Sequence, residues 1–388
     1  MEGSVVVLRA GWLPTQQANG LQTISMGNAF AKLGLRTTLY YIPSPYAKND
    51  PLSLYGAETR IMLKRLPRAV LPMRKSFKLE QWKAFPSFFH AFIWSGFVSQ
   101  LVSRSKADFY FVREPMIAWW LARRGLPTVL EMHDIPTGNE GIFIHKASRL
   151  DSVKLVLAVT EHLRADLVKQ FKIPSEKTLT LHDGIDVKTT EGSNSKAQVR
   201  QRFGLPLDHP LVVYTGMIDP EKGLDVLARA APMLNGVHIV IVGYGTQSAN
   251  EWLQGAIREA NANNVTVLKY QPHSDARLIQ KAADVLVLPH SNKFLHSAYY
   301  TSPLKLFEYM GTGVPIVASA LPAVREILRH GENGWLVEPD SPSALADGIV
   351  HLLERKPLAS AMAQQAALDV EDYTWDRRAA RIIDSVRQ

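Results

Sequence analysis

The chain has 388 residues, 46% hydrophobic and 21% charged, with 44 Lys and Arg against 36 Asp and Glu and no cysteine. That length exceeds what one compact core usually organises, so two domains are expected, and the composition is that of a globular protein. The absence of cysteine excludes disulfides, thiolate metal sites and cysteine nucleophiles together. Charge is uneven: residues 1–150 carry 19 Lys and Arg against 9 Asp and Glu, whereas the remainder carries 25 against 27.

The opening stretch MEGSVVVLRAGWLP places an acid where a secretory leader needs basic residues, and its apolar run is short, so it reads as a first buried strand. A loop over residues 11–20, ending in Asn19 and Gly20, then leads to a helix over 26–33 and the strand TTLYYI. Gly20 either lets the backbone approach a ligand closely or is a plain turn glycine. Residues 60–83 hold eight Lys and Arg against one acid, Glu80, interleaved with Leu63, Leu66, Met73, Phe77 and Trp82. Such a segment suits an anionic membrane surface, an anionic lipid-linked acceptor or a polyanion; the alternative is a solvated basic loop. No nucleic-acid-binding signature accompanies it. Residues 84–102 approach membrane-span length but contain Pro86, His90, Gln100 and several serines, so a core helix is expected there.

Apolar strands continue with ADFYFV, TVLEM, LVLAV and TLTL, separated by helical patterns, which is the mark of a parallel, doubly wound α/β sheet. The pattern breaks near residue 186. A polar linker with a short helix follows over 187–209, and PLVVYTG opens a second series: VHIVIVG, VTVLKY, VLVLP and PIVAS. The expected organisation is therefore a first domain over 1–186, the linker, a second domain over 210–372, and a final helix over 373–388 crossing back to the first domain. Two such Rossmann-like domains would face each other across a cleft. In open parallel sheets ligands bind beyond the carboxyl ends of the strands. Those ends carry Arg113 and Glu114, His133 and Asp134, and His182 and Asp183 in the first half. In the second they carry Gly216 followed by Lys222, then Gly243 and Tyr244, then His290 and Ser291. Each has a plainer reading: His133 with Asp134 as a helix cap, and Lys222 as a turn lysine.

Residues 301–318, TSPLKLFEYMGTGVPIVA, are the most informative stretch. Ser302 suits an N-cap, Pro303 the first helical position, and Gly311 and Gly313 the stop before a buried strand. The amides of Ser302, Pro303's neighbour Leu304 and Lys305 would offer a phosphate site at the helix start. Lys305 and Glu308 stand on one face, where a carboxylate accepts two hydrogen bonds from a ribose and an amine holds a diphosphate. An ordinary capped helix with a surface pair is the alternative. No D-x-D, H-E-x-x-H or G-x-S-x-G is present, so the pattern favours metal-independent chemistry on a sugar or phosphate donor, without a cofactor.

YTGMIDPEKGLDVLARA, HIVIVGYGT, KAADVLVLPHS, SPLKLFEYMGTGVPIVAS and LPAVREILRHGENGWLVEPDSPSALADGIVHLL together resemble the carboxyl-terminal half of retaining glycosyltransferases of family four. The first half is similar more loosely, through LQTISMGNAFAKLGLRTTLYYI, LEMHDIP, AVTEHLRADL and LHDGID. The resemblance implies the GT-B fold, a nucleotide-activated sugar donor (UDP- or GDP-linked) and transfer with retention along a front-face path. The acceptor would be a saccharide or lipid-linked saccharide used in cell-surface polysaccharide or glycoconjugate synthesis. The expected location is the cytoplasm, where the basic segment over 60–83 would be the part to meet an anionic inner membrane face. By residue, the resemblance assigns Glu308 to the ribose and Ser302, Pro303, Leu304 and Lys305 to the diphosphate. Lys222 falls on the phosphate lysine, Gly20 on the donor-approach loop, and His133 on the histidine near the reacting centre. Gly216, Gly243 and Tyr244 join the donor side, and Arg113 and Asp134 the acceptor side. His133, Lys222 and Glu308 would be the catalytic set. Two departures stand out: the family's first carboxylate, eight residues before Glu308, falls on Tyr300, and a basic residue after the strand glycine falls on Met217. They motivate the alternative of a non-catalytic GT-B partner subunit that keeps the fold and perhaps the nucleotide.

Overall fold

A computed structural model describes residues 3–15, 18–45, 51–54, 60–67, 85–186 and 195–387. Most of the basic segment over 60–83, and part of the linker over 187–209, lie outside them. The chain forms two units, one comprising Met1–Gly184 with Trp375–Gln388, the other Ile185–Thr374. Ile185 and Asp186, read above with the first domain, thus belong to the second; the Ile185 amide donates to Tyr373 O at 2.9 Å.

Among the described residues, seven strands form the sheet of the first unit: β1 Ser4–Leu13, β2 Arg36–Pro43, β3 Met62–Arg65, β4 Phe109–Val112, β5 Thr128–Met132, β6 Val153–Ala158 and β7 Thr178–Thr180. Their order is β3-β2-β1-β4-β5-β6-β7, with every pair parallel. The second unit has β8 Leu211–Met217, β9 His238–Tyr244, β10 Val265–Leu268, β11 Val285–Leu288, β12 Ile316–Ser319 and β13 Trp335–Val337. Here the order is β10-β9-β8-β11-β12-β13, again all parallel. Strands such as FYFV of β4 and VLVL of β11 are buried on both faces, because helices cover both sides of a parallel sheet. In each sheet the strand order reverses once, between β1 and β4 and between β8 and β11. Ligands in this architecture bind outside the carboxyl ends of the strands at that reversal.

Two expectations change. The first helix runs Ala18–Lys32, so Asn19 and Gly20 sit in its opening turn and not in a loop before it. The Asn19 carbonyl is tied down there by Thr23 Oγ1 and Arg9 Nη1, each at 2.8 Å. The aromatic helix Phe85–Ser103 is a core helix on one face only: Val98 and Val102 are fully buried, whereas Phe89, Ile93 and Phe97 are all more than half exposed. Ser95 and Ser99 turn inward with the valines, Ser99 at 0% exposure donating to Gly96 O and accepting from Arg124 Nη1 at 2.9 Å. No described helix is long and apolar enough to cross a membrane. The last helix, Trp375–Arg387, packs on the first helix of the first unit and buries Trp375, Arg378, Ala379, Ile382 and Ile383.

Candidate active site

The second unit gathers basic groups where β8 and β11 end. The helix after β11 starts one residue later than expected: Pro303 occupies the cap position of Leu304–Met310 without a side-chain cap bond, and Ser302 is buried just upstream. Proline has no amide to offer and restricts its predecessor, so Pro303 fixes the turn. Lys305, on the first turn, lays its Nζ 4.0 Å from the ring centroid of Tyr214 and donates to Tyr214 Oη at 2.5 Å. Gly216 lies against this amine with φ of 140°, where only glycine is at ease, and a Cβ there would strike Lys305 Nζ. Its strand neighbour Gly243 is equally constrained, because a Cβ would collide with the Gly216 carbonyl.

Lys222 ends a single 3-10 turn, Pro220–Lys222, opened by Asp219, whose Oδ1 accepts from the Glu221 amide at 3.0 Å. Its side chain is 12% exposed, with Nζ 3.7 Å from Glu221 Oε2. His290 directly follows Pro289 at the end of β11; it is 1% exposed, and neither ring nitrogen has a hydrogen-bond partner among the described residues. Burial, joined by the charges of Lys222 and Lys305, holds the His290 imidazole well below its ordinary pKa. Burial also lowers Lys222 and, with the help of Lys222's charge, lowers Lys305 strongly. Mutual repulsion of this kind is relieved by an anion, and a diphosphate carries the complementary charge.

On the same helix, one turn further, Glu308 is 15% exposed. Its Oε1 accepts from His273 Nε2 at 2.8 Å and its Oε2 from Gln280 Nε2 at 3.3 Å. Burial pushes the Glu308 carboxyl up, but the bonds from His273 and Gln280 and the His273 charge outweigh it and leave the pKa below the usual value. Gln280 is 1% exposed and also donates to Thr215 Oγ1 at 2.8 Å, so the carboxylate is anchored to β8. Tyr244 closes β9, its ring in an edge contact with Tyr270 at 5.9 Å between centroids. Met217 is 40% exposed, and Tyr300 is buried at the end of the wide turn His296–Tyr300.

In the first unit the ends of β4 and β5 carry a second constellation. Arg113 Nε donates to Glu131 Oε1 at 2.9 Å, and its Nη2 contacts Gln22 Oε1 and His133 Nε2. His133 Nε2 lies 2.7 Å from Glu131 Oε1 and 3.2 Å from Gln22 Nε2, which also donates to Asp183 Oδ1. Arg378, from the last helix, is 4% exposed and places Nη2 2.7 Å from Glu131 Oε2, while donating to the carbonyls of Leu181 and His182. Burial opposes ionisation of Glu131, yet Arg378 and Arg113 hold its pKa well below the ordinary value. Burial and the Arg113 charge depress His133 to about 4, so it is neutral at pH 7. Burial raises Asp183 to about 7. Asp134 is exposed, its Oδ1 accepting from the Ile135 amide at 2.8 Å.

The structure thus brings Arg113 and His133 together in the first unit, and in the second it sets Gly216, Gly243, Lys222, Lys305 and Glu308 at neighbouring strand ends. Sequence reasoning missed Gln22, Glu131, His273, Gln280 and Arg378. Two had a visible signal: Glu131 is a carboxylate inside the apolar run TVLEM, and Arg378 falls within the apolar stripe of the last helix.

Residues 195–369 match the family model for glycosyl transferases group 1. A D-inositol 3-phosphate glycosyltransferase of Mycobacterium tuberculosis (strain ATCC 25618 / H37Rv) is 30% identical over 215 residues, 54% of this chain and 43% of that protein. The chain thus matches less than half the length of that curated relative. Among solved structures, a sucrose-phosphate synthase from Thermosynechococcus elongatus aligns with a TM-score of 0.76 at 19% identity, covering 100% of this chain and 98% of that one. Anabaena HepE in complex with UDP and glucose aligns with a TM-score of 0.76 at 17% identity, covering 99% of both chains. These likenesses establish the fold. The two parallel sheets are the Rossmann-like halves of the GT-B fold, and the likeness to glycosyl transferases group 1 lies in residues 195–369, within the second unit.

Proposed function

We propose that the protein is a retaining glycosyltransferase that takes its sugar from a nucleoside-diphosphate donor held by the second unit. The observation that carries this reading is Glu308, a near-buried carboxylate one helical turn from Lys305, at the strand reversal where Lys222 and His290 add further basic groups. Glu308 would accept the ribose hydroxyls, and Lys222 with Lys305 would carry the charge that develops on the leaving diphosphate, without a metal. Transfer proceeds on the front face, with the departing phosphate taking the acceptor's proton. By the resemblance, neutral His133 of the first unit would serve the sugar, and Arg113 and Asp134 a saccharide or lipid-linked acceptor of surface polysaccharide or glycoconjugate synthesis. HepE, which binds UDP and glucose, supports a uridine donor; GDP is the other candidate.

The test is incubation with a panel of UDP- and GDP-sugars. Slow release of sugar from one conjugate is expected, falling by about 100-fold in Lys222→Ala, the scale of losing one group that stabilises transition-state charge. Tight diphosphate binding with no release from any conjugate would favour the non-catalytic partner that Tyr300 and Met217 motivate.

We place the protein in the cytoplasm, on the anionic inner face of the membrane. Phe89, Ile93 and Phe97 line one side of an uncharged helix, and the neighbouring Arg123 and Arg124 lie over Trp119 and Trp120 at 5.0 and 5.3 Å. An apolar stripe beside cations and indoles suits a headgroup interface. In flotation, the protein should rise with anionic but not neutral liposomes, and Phe89→Ser combined with Ile93→Ser and Phe97→Ser should abolish the effect. Flotation of the triple variant, or of neither protein, would remove this placement.

A further inference from the structure

The two partners of Glu308 differ in kind. Gln280 is 1% exposed and tied to Thr215 of β8, so its bond to Oε2 belongs to the folded core. His273 is the first residue of the helix His273–Ala282, its side chain is 52% exposed, and it covers Oε1 from the solvent side at 2.8 Å. A ribose diol donates two hydrogen bonds to a carboxylate, so a ribose on Glu308 competes for the Oε1 acceptor that His273 occupies.

We propose that His273 is an internal competitor for the ribose, occupying Glu308 in the free protein and giving it up when a nucleotide binds. This rests on the donor reading of Glu308 above. The groups facing the imidazole are Glu308, Arg277 and Asp186. The bond to Glu308 raises the His273 pKa above its ordinary value, with Arg277 opposing and Asp186 assisting. The competitor is therefore strongest in mild acid, when His273 is charged, and fades as the pH rises through its raised pKa. Nucleotide affinity gains accordingly on the alkaline side. Lys222 and Lys305 act in the opposite direction, losing charge as pH rises, but they do so equally with and without His273.

The experiment is calorimetric titration of the full chain and of His273→Asn with UDP and with 2′,3′-dideoxy-UDP, at pH 6 and pH 8.5; GDP and its dideoxy form serve if uridine does not bind. The variant should bind the ribonucleotide about tenfold tighter at pH 6, the worth of one charge-assisted hydrogen bond, and about equally at pH 8.5. Dideoxynucleotide binding should be unchanged, because it makes no bond to Glu308. Weaker ribonucleotide binding by the variant would overturn the proposal and make His273 a ligand contact. Equal gains for both nucleotides would overturn it too. Binding with no dependence on His273 would sink this inference alone, whereas absence of binding by either protein would sink the donor reading with it. Should the variant not fold, the His273 ring titration in the wild type decides: its pKa should fall when the nucleotide is added, and an unchanged value overturns the proposal.

Discussion

Replacing Glu308 with alanine is expected to weaken nucleoside-diphosphate binding by about 100-fold or more, with little change in melting temperature. Hydrogen bonds to a charged group are worth roughly 1.5–3 kcal/mol each, and two donated by a ribose would be lost together. Each 1.4 kcal/mol is a factor of ten. The fold should tolerate the change because neither partner is stranded: Gln280 keeps its 2.8 Å bond to Thr215, and His273 is half exposed and turns to water. Glu308→Gln should fall between the two, since it retains one acceptor oxygen. Calorimetry with UDP and GDP reads the effect, and a thermal melt of the same samples separates binding from unfolding. Unchanged affinity in Glu308→Ala would remove the carboxylate from the donor site.

The second large effect is on stability, and it concerns the first unit. Arg378→Met should destabilise the first unit by about 3–5 kcal/mol, the usual consequence of leaving one partner of a buried ion pair without the other. Glu131 is 1% exposed and, among the described residues, would keep hydrogen bonds to Arg113 and His133, while the Leu181 and His182 carbonyls would lose a donor. The pH dependence has a definite sign. Glu131 has a depressed pKa in the folded state, so its ion pair stabilises above the ordinary carboxylate range and that contribution is lost as the pH falls toward the folded value. Wild type and variant should therefore differ most near neutrality and converge in acid. Melting curves from pH 3 to pH 7.5 measure this; a gap that stays constant or widens in acid would mean that the arginine acts only through packing.

Much of this arrangement was legible before any coordinates. Short continuous apolar runs rich in β-branched or aromatic residues, such as FYFV and VLVL, read as strands buried on both faces, and their alternation with helical spacing points to parallel sheets. Once the strands are placed, the residues that follow them fall at one edge, which is why His133, Gly216, Lys222 and Gly243 could be picked out by position. The helix bearing Lys305 and Glu308 was visible for a local reason, since Pro303 and Gly311 bracket it. What escaped was everything that depends on pairing. Glu131 reads as an anomaly inside a strand until Arg378 arrives from the last helix to neutralise it. His273 opens an unremarkable helix, and only the packing of that helix against β8 brings it to Glu308. The aromatic helix was half legible: its valines Val98 and Val102 are buried as hydrophobicity suggests, but Ser95 and Ser99 pack inward with them while Phe89 and Phe97 face out.

The first unit is assembled from two separated stretches of chain, with the whole second unit intervening between them. A ribosome therefore releases the β1–β7 strands long before the arginine that balances Glu131. Until translation reaches residue 378, that carboxylate has no Arg378 beside it, and the environment of His133 is incomplete. The second unit has no such debt, because β8 to β13 and their helices emerge in one continuous run. Order of synthesis and order of maturation are thus inverted, and the unit made first is finished last.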